Sequence, residues 1–484
     1  MPHRMDISEH LFLSFAGIGI CHLPEWKSVI CRNEGRNYLV FSKYLCTFVK
    51  VFYMVFVLVN CMYKNRIVDK LLSNQLEAAG VVLIQGPKWC GKTTTAKQQA
   101  KSILYMDDPR SREGNIILSE TEPLLLFQGD TPRLIDEWQL APKLWDAARF
   151  EVSKRGLPGQ LIFTGSAVPP NTSEITHSGT GRFAWLTMRP MSLWESGEST
   201  GSVSLEKLFQ GEKIEGGVAI DHSLKQLALL LCRGGWPGSI AFSDQAALLQ
   251  VNNYVDAVVN SDISRVDGIN RDAVFARRLL RSYARHQGTQ ATITTIYKDL
   301  VTNSSGSMTE DTISSYLLAL RQIFLIEDML AWNPNLRSKT TIRTSDTRYF
   351  VDPSIATAAL GVGPEDLIKD TDTFGLLFET MAVRDLRVYV DALNGEVYHY
   401  RDRNDLECDA VVHLRNGNYG LIEIKLGGKT LIDSGAETLK KLADRIDTDK
   451  MPAPSFLMVL TGIGAHSYLR DDGVLVVPIG SLKN

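Results

Sequence analysis

Residues 81–95 read VVLIQGPKWCGKTTT, and no other stretch limits the fold of this 484-residue chain so tightly. Four apolar residues and a glutamine make a short strand, a glycine-rich turn follows, and a helical stretch then begins. The turn has the spacing GxxxxGK[ST], from Gly86 to Thr93, in the strand–loop–helix setting that a phosphate-binding loop requires. Gly86 and Gly91 let the backbone bend so that successive N–H groups face a β-phosphate at a helix N-terminus. Lys92 brings a point charge to the β- and γ-phosphates, and the Thr93 hydroxyl is placed to hold Mg2+. Gly86, Pro87, Lys88, Trp89, Cys90, Gly91, Lys92, Thr93 and Thr94 are therefore the expected cradle for the phosphates of ATP. A chance glycine-rich turn ahead of a helix is the competing reading, and the three-part context argues against it.

Downstream, residues 133–137 (RLIDE) form an apolar strand ending in two acids. In a P-loop ATPase the first, Asp136, reaches Mg2+ through water, and the second, Glu137, orients the attacking water. Taken alone, Asp136 reads equally well as the N-cap of the next helix. A third strand, residues 160–166 (QLIFTGS), ends in small hydroxyl residues. Parallel strands deliver their C-terminal ends to the nucleotide crevice, so Thr164 or Ser166 is placed to sense the γ-phosphate, or else to cap the next segment. Arg182 follows a Gly/Ser/Thr-rich stretch. It fits a role in stabilising transition-state charge, from its own chain or across a homo-oligomer; a surface arginine beside a strand is the plain alternative.

These segments carry a resemblance. IQGPKWCGKTT, LIDEWQLAPKLWD, FTGSA, SGTGRFAWLTMRPMSLWE and, further on, GGWPG (residues 234–238) are similar to the AAA-type P-loop ATPases of bacteria and archaea that bear a C-terminal domain of unknown function. The Asp-Glu-x-Gln form, with Gln139 following the acids, is more distinctive than the phosphate loop. The similarity runs from Met62 to about residue 428 and implies an α/β fold with a parallel sheet in the ATPase core.

Composition excludes several classes. The chain is 44% hydrophobic and 22% charged, close to a soluble average, so collagen-like, disulfide-scaffold and wholly disordered chains are ruled out. Its 52 Lys and Arg nearly balance 55 Asp and Glu, so any binding to DNA must come from a local patch. The seven cysteines show no paired zinc spacing and no disulfide ladder, which suits a reducing, cytoplasmic setting. Residues 44–62 (YLCTFVKVFYMVFVLVNCM) are apolar enough to raise a membrane anchor, but Lys50 sits near the middle. A buried element of the fold is a second reading. The preferred one treats residues 1–61 as an extension outside the working fold, because Met62 directly precedes an amphipathic helix.

Residues 62–200 are then the ATPase domain and 201–262 a helical lid, with apolar-periodic segments on either side of GGWPG. Residues 263–350 suggest a winged-helix-like unit: three short helices, then a β-hairpin. Its first helix carries Arg277, Arg281 and Arg285 on one stripe, which could touch DNA phosphates or lie as a solvated face beside Asp267 and Asp272.

Residues 351–484 hold a second candidate chemistry. An amphipathic helix carries Glu379, one strand starts near Asp409, and the next strand alternates so that Tyr419, Leu421, Glu423 and Lys425 share a face. Paired carboxylates with a lysine suit a Mg2+ or Mn2+ site acting on phosphodiesters. The E…D…ExK pattern resembles the restriction-endonuclease-like core, and the C-terminal domain of the ATPase family shows it at matching positions. An ordinary ion pair between Glu423 and Lys425 on a solvent face is the bland alternative.

Three functions stay open at this point: an ATP-hydrolysing switch or motor that moves the C-terminal module, a metal-dependent nuclease regulated by nucleotide, and a DNA-binding or protein-docking module that uses nucleotide as a latch.

Overall fold

The computed structural model describes residues 63–167, 178–212, 216–301, 309–337 and 341–484, and the backbone of four short strands before them. Residues 44–62, with their three readings, lie outside the described residues. The chain divides into two units, residues 1–63 and 64–484. In the first, Phe12–Phe15 pairs with Ile18–Cys21 and Arg32–Asn33 with Arg36–Asn37, both antiparallel. No helix among the described residues is long and apolar enough to cross a membrane.

In the second unit, helix α1 (Ile67–Ala78) leads into a five-stranded parallel sheet of order β2–β3–β4–β1–β5. Its strands are β1 (Val81–Gln85), β2 (Ser102–Tyr105), β3 (Arg133–Asp136), β4 (Leu161–Gly165) and β5 (Phe183–Thr187). Strand alternation explains the two cores. Val81, Leu83, Ile135, Leu161 and Phe163 point to the face covered by Leu144, Trp145, Ala148 and Val152 of α3 (Leu144–Arg155). Val82, Ile84, Leu134 and Ile162 point to the other, covered by Val68, Leu72 and Leu76 of α1 and Ala96 of α2 (Lys92–Lys97). A strand buried on both faces has to be apolar at every position, and so β1 reads as a continuous hydrophobic run.

A helical region follows: α4 (Leu224–Arg233), α5 (Asp244–Ala257), α6 (Ala273–Arg285), α7 (Ile293–Val301), α8 (Glu310–Gln322) and α9 (Pro353–Leu360). Side-chain caps start most of them: Ser223 for α4, Ser243 for α5, Asp272 for α6, Thr309 for α8 and Asp352, followed by Pro353, for α9. After α8 the chain forms antiparallel bridges, Ile326 with Phe350 and Met329 with Thr347, where the sequence suggests a hairpin.

The C-terminal part runs α10 (Thr371–Asp391), β7 (Gly395–Arg401), β8 (Glu407–Leu414), β9 (Tyr419–Lys425), α11 (Lys429–Arg445) and β10 (Phe456–Thr461). With β6 (Gly217–Val218), β11 (His466–Leu469) and β12 (Leu475–Pro478) it builds a seven-stranded mixed sheet of order β6–β11–β12–β10–β9–β8–β7, in which β9 and β10 are parallel. Residues just after the five-stranded sheet return here twice: β6 pairs with β11, and Val203–Ser204 pairs with Leu482–Lys483.

Helix α10 is expected to be amphipathic, yet it is buried nearly all round from Phe374 to Val390. One face packs on Ile422, Ile424, Met458 and Leu460 of the sheet, and the same core continues through Leu231 of α4, Tyr254 of α5, Leu279 of α6 and Leu317 of α8. A helix gripped by a sheet on one side and helices on the other needs apolar residues all round. Strand β9 departs from expectation for the same reason. The face bearing Tyr419, Leu421 and Glu423 is not solvent-exposed; Ala436, Leu439 and Leu442 of α11 cover it.

Candidate functional site

The phosphate loop leaves β1 at Gly86, whose φ is +150° and where an added Cβ would stand 2.0 Å from the Met188 carbonyl oxygen, so glycine is required. Gly91, left-handed at φ +102°, starts α2. Between them the loop curls around the Lys92 ammonium, which donates to the Gly86 carbonyl at 2.9 Å and the Pro87 carbonyl at 2.7 Å. From outside, buried Arg66 at the start of α1 braces the loop. Its guanidinium donates to the Cys90 carbonyl at 2.9 Å and to Glu195 at 3.0 Å. Arg66 carries no sequence signal of that role.

The Thr93 hydroxyl donates to the Asp136 carboxylate at 2.7 Å. Asp136 ends β3 in register with Thr164 of β4, and the Thr164 hydroxyl donates to the same carboxylate oxygen. Adjacent parallel strands place the Thr164 and Asp136 side chains together. Ser166, two residues further, lines the cleft and reaches Glu137 at 3.4 Å. Glu137 adopts a left-handed backbone (φ +56°), a sparsely populated conformation for a non-glycine residue. The Gln139 amide donates to its carboxylate. Burial pushes the Glu137 carboxyl above its ordinary value, against the opposing pull of Gln139 and Lys92.

Lys88, Trp89, Gly91, Lys92, Thr93, Thr94, Glu137 and Ser166 share one cleft of about 490 Å³. Its far wall is Trp236, Pro237, Gly238 and Gln250. In the sequence GGWPG separates two helical segments and belongs to the family resemblance; its glycine density is the available signal for a wall. Gly235 fits only as glycine, since a Cβ there would lie 2.1 Å from the Met191 carbonyl oxygen.

Arg182 stands apart from the phosphate loop of its own chain. It precedes β5, and its carbonyl accepts the Val81 N–H at the start of β1, so it lies at the end of the sheet opposite the phosphate loop. The five-residue length of β1, roughly 13 Å, separates it from the loop of its own chain. Its guanidinium donates to Ser153 instead.

In the C-terminal part, Asp409, Glu423 and Lys425 do come together. Asp409 accepts the Ile424 N–H at 2.7 Å and the Lys425 ammonium at 2.9 Å, and Lys425 pairs with Glu423 at 2.7 Å. Burial and the neighbouring Asp409 charge push the Glu423 carboxyl up to about 8, although Lys425 pulls the other way. Its Oε1 atom is buried without a partner. Glu379 reaches the same neighbourhood from α10: burial and then Asp409 push its carboxyl up, and the Tyr349 hydroxyl donates to it. Among the described residues no three His, Cys, Asp or Glu side chains are arranged to hold a metal. On α6, Arg277 pairs with Asp256 and Arg285 with Asp299, so acids offset much of that stripe's charge.

Comparison with known proteins finds matches to three segments of the chain. Residues 78–196 match a family model described as an AAA domain. Residues 224–366 and 374–482 match two domains of unknown function, DUF8612 and DUF4143. Two mycobacterial proteins described as uncharacterized, from Mycobacterium bovis and Mycobacterium tuberculosis, are each 23% identical over 425 residues, which is 87% of this chain and 85% of theirs. A Walker-type ATPase of Pyrococcus abyssi aligns with 60% of this chain and 94% of its own at 14% identity and a TM-score of 0.37. Residues 78–196, which include the loop Gly86–Thr93, are thus similar to an AAA domain, and residues 374–482 to DUF4143.

Proposed function

We propose that this protein is a Mg2+-dependent ATP hydrolase. The observation that carries the reading is the Thr93–Asp136 contact of 2.7 Å at the mouth of the phosphate loop, in one cleft with Lys92 and Glu137. Two oxygen donors side by side at a phosphate site suit a hard divalent cation, so Thr93 and Asp136 would hold Mg2+, which supplies charge neutralisation at the phosphates. A triphosphate entering the loop draws the Lys92 ammonium off the Gly86 and Pro87 carbonyls. The loop N–H groups then receive the β-phosphate.

Glu137 acts as the general base. Water oxygen bonds to the γ-phosphorus as the bond from that phosphorus to the β,γ-bridging oxygen breaks, giving ADP and inorganic phosphate. The proton lost by the water passes to Glu137. A carboxylate whose proton affinity is raised by burial is better suited to that transfer than an ordinary one. Phosphate release from ATP by the full chain tests the reading: turnover in the wild type and its loss in Lys92→Ala support it, and equal release from both contradicts it.

A second reading concerns the C-terminal module, as a restriction-endonuclease-like phosphodiesterase acting on DNA. What supports it is the unpartnered, buried Oε1 of Glu423 beside Asp409 and Lys425, on an α–β–β–β–α–β succession with β9 and β10 parallel. Asp409 and Glu423 would hold the metal once Lys425 moved to the phosphate. Oligonucleotide cleavage in Mg2+ or Mn2+ that is lost in Asp409→Ala and Glu423→Ala but kept in Lys92→Ala would establish it; no cleavage by the wild type would refute it.

A further inference from the structure

With Arg182 at the far end of the sheet, the cations that this chain itself brings to the γ-phosphate are those lining the cleft. Among the described residues lining it, the cations are Lys88 and Lys92. Lys92 is committed to the loop's interior. Its ammonium, 2.7 Å from the Pro87 carbonyl, marks where the phosphates enter. That carbonyl belongs to the peptide bond leading into Lys88, so the Lys88 side chain starts within one peptide unit of the phosphate position, and it lines the same cleft.

Lys88 is not idle. Its ammonium pairs at 2.7 Å with Asp262, the last residue of a π-helical turn, Val258–Asp262, that continues α5. One residue on, the Trp89 ring leans on Tyr254 of α5 at a centroid distance of 5.6 Å. The lid therefore grips the tip of the phosphate loop at two adjacent residues. The Lys88 side chain remains half exposed, and a solvent-exposed ion pair of this kind is weak. A γ-phosphate, with more charge than one carboxylate and no lid turn to deform, competes well for that ammonium. Single-turn π insertions in helices recur at functional sites, consistent with Asp262 being offered on purpose-built backbone.

Resting on the ATPase reading, we propose that Lys88 is a catalytic residue of the hydrolysis: it leaves Asp262 for the γ-phosphate in the transition state, supplying from the loop itself the positive charge that other P-loop enzymes take from an arginine, while Asp262 parks it between turnovers. The lysine stays protonated throughout; it makes and breaks ion pairs only.

The experiment is steady-state ATP hydrolysis and equilibrium binding of ATP and ADP by the full chain, as wild type, Lys88→Ala, Lys88→Arg and Asp262→Asn. Expected for Lys88→Ala is a fall in kcat on the order of 100-fold, comparable to removing one preorganised donor from a transition state. Its affinity for ADP should change by less than about threefold, the mark of an interaction made mainly in the transition state. Lys88→Arg should recover most of kcat, and Asp262→Asn, which frees the ammonium, should keep turnover within about twofold of wild type or raise it. An unchanged kcat in Lys88→Ala overturns the proposal, as does a loss in Asp262→Asn equal to that in Lys88→Ala, which would make the clasp itself the working element. Wild-type protein without turnover overturns the ATPase reading and this proposal together; wild-type turnover that Lys88→Ala retains overturns the proposal alone.

Discussion

The Arg384 guanidinium donates to the Asp352 carboxylate at 2.8 Å, with both side chains essentially sealed from solvent. The same Asp352 oxygen accepts the Gly235 N–H at 2.9 Å, so this ion pair holds the glycine-rich wall of the nucleotide cleft. Arg384 also donates to Asp385, whose other oxygen accepts the Leu193 N–H at the end of the ATPase domain. Helix α10, which carries Glu379 to the C-terminal carboxylates, is thereby fastened both to the glycine-rich wall and to Leu193.

Removing Arg384 leaves two buried carboxylates without their cation. Arg384→Met is expected to cost about 3–5 kcal/mol of stability, the range for breaking one side of a buried pair. It should also weaken nucleotide binding through the loosened wall. Thermal melting with and without ATP checks this; a variant that melts with the wild type would refute the role.

Glu137→Gln keeps the shape of the site and removes the base. Hydrolysis should drop by about 10²–10⁴-fold, the usual worth of a positioned general base, while ATP binding persists. Phosphate release and calorimetry on the same preparation separate the two. Loss of binding together with turnover would instead mark Glu137 as a structural residue of the strand end.

The Gln139 amide stabilises the ionised form of Glu137, lowering a carboxyl that burial raises. Gln139→Leu should therefore raise the Glu137 proton affinity further. Because the base works deprotonated, the acid limb of the kcat–pH profile should move to higher pH in Gln139→Leu. A profile that moves to lower pH, or not at all, contradicts the assignment.

Glu423 gives a prediction about stability. Its carboxyl has an ordinary value of 4.5 and is pushed up to about 8 in the fold. Between those values the folded protein holds a proton that the unfolded chain has released. The stabilisation is complete below about pH 4.5 and is lost as pH rises through about 8. Glu423→Gln does not titrate, so its melting temperature should vary less over this window and overtake the wild type toward the alkaline end. Parallel curves for the two proteins would refute the raised carboxyl.

What was legible in the sequence follows from locality. The phosphate loop, the Asp136–Glu137 strand end and the Asp409–Glu423–Lys425 hairpin are each set by a few neighbouring residues, and all were readable from spacing and alternation. The position of Arg182 was not legible because sheet end depends on pairing with Val81, a partner about a hundred residues away in the chain. Arg66 meets the phosphate loop, and Gln250 the cleft, only through tertiary packing, so nothing in their own surroundings announces them. Helix α10 and strand β9 were assigned a solvent face for the same reason: periodicity reports one buried face and is silent about a second cover.

Calorimetric titration of ATP with Mg2+ into the full chain, wild type beside Lys92→Ala, puts the phosphate-loop assignment to its most direct test. The wild type should give saturable heat, and the variant should lose it. No heat from properly folded wild type, or the same isotherm from both proteins, would contradict it.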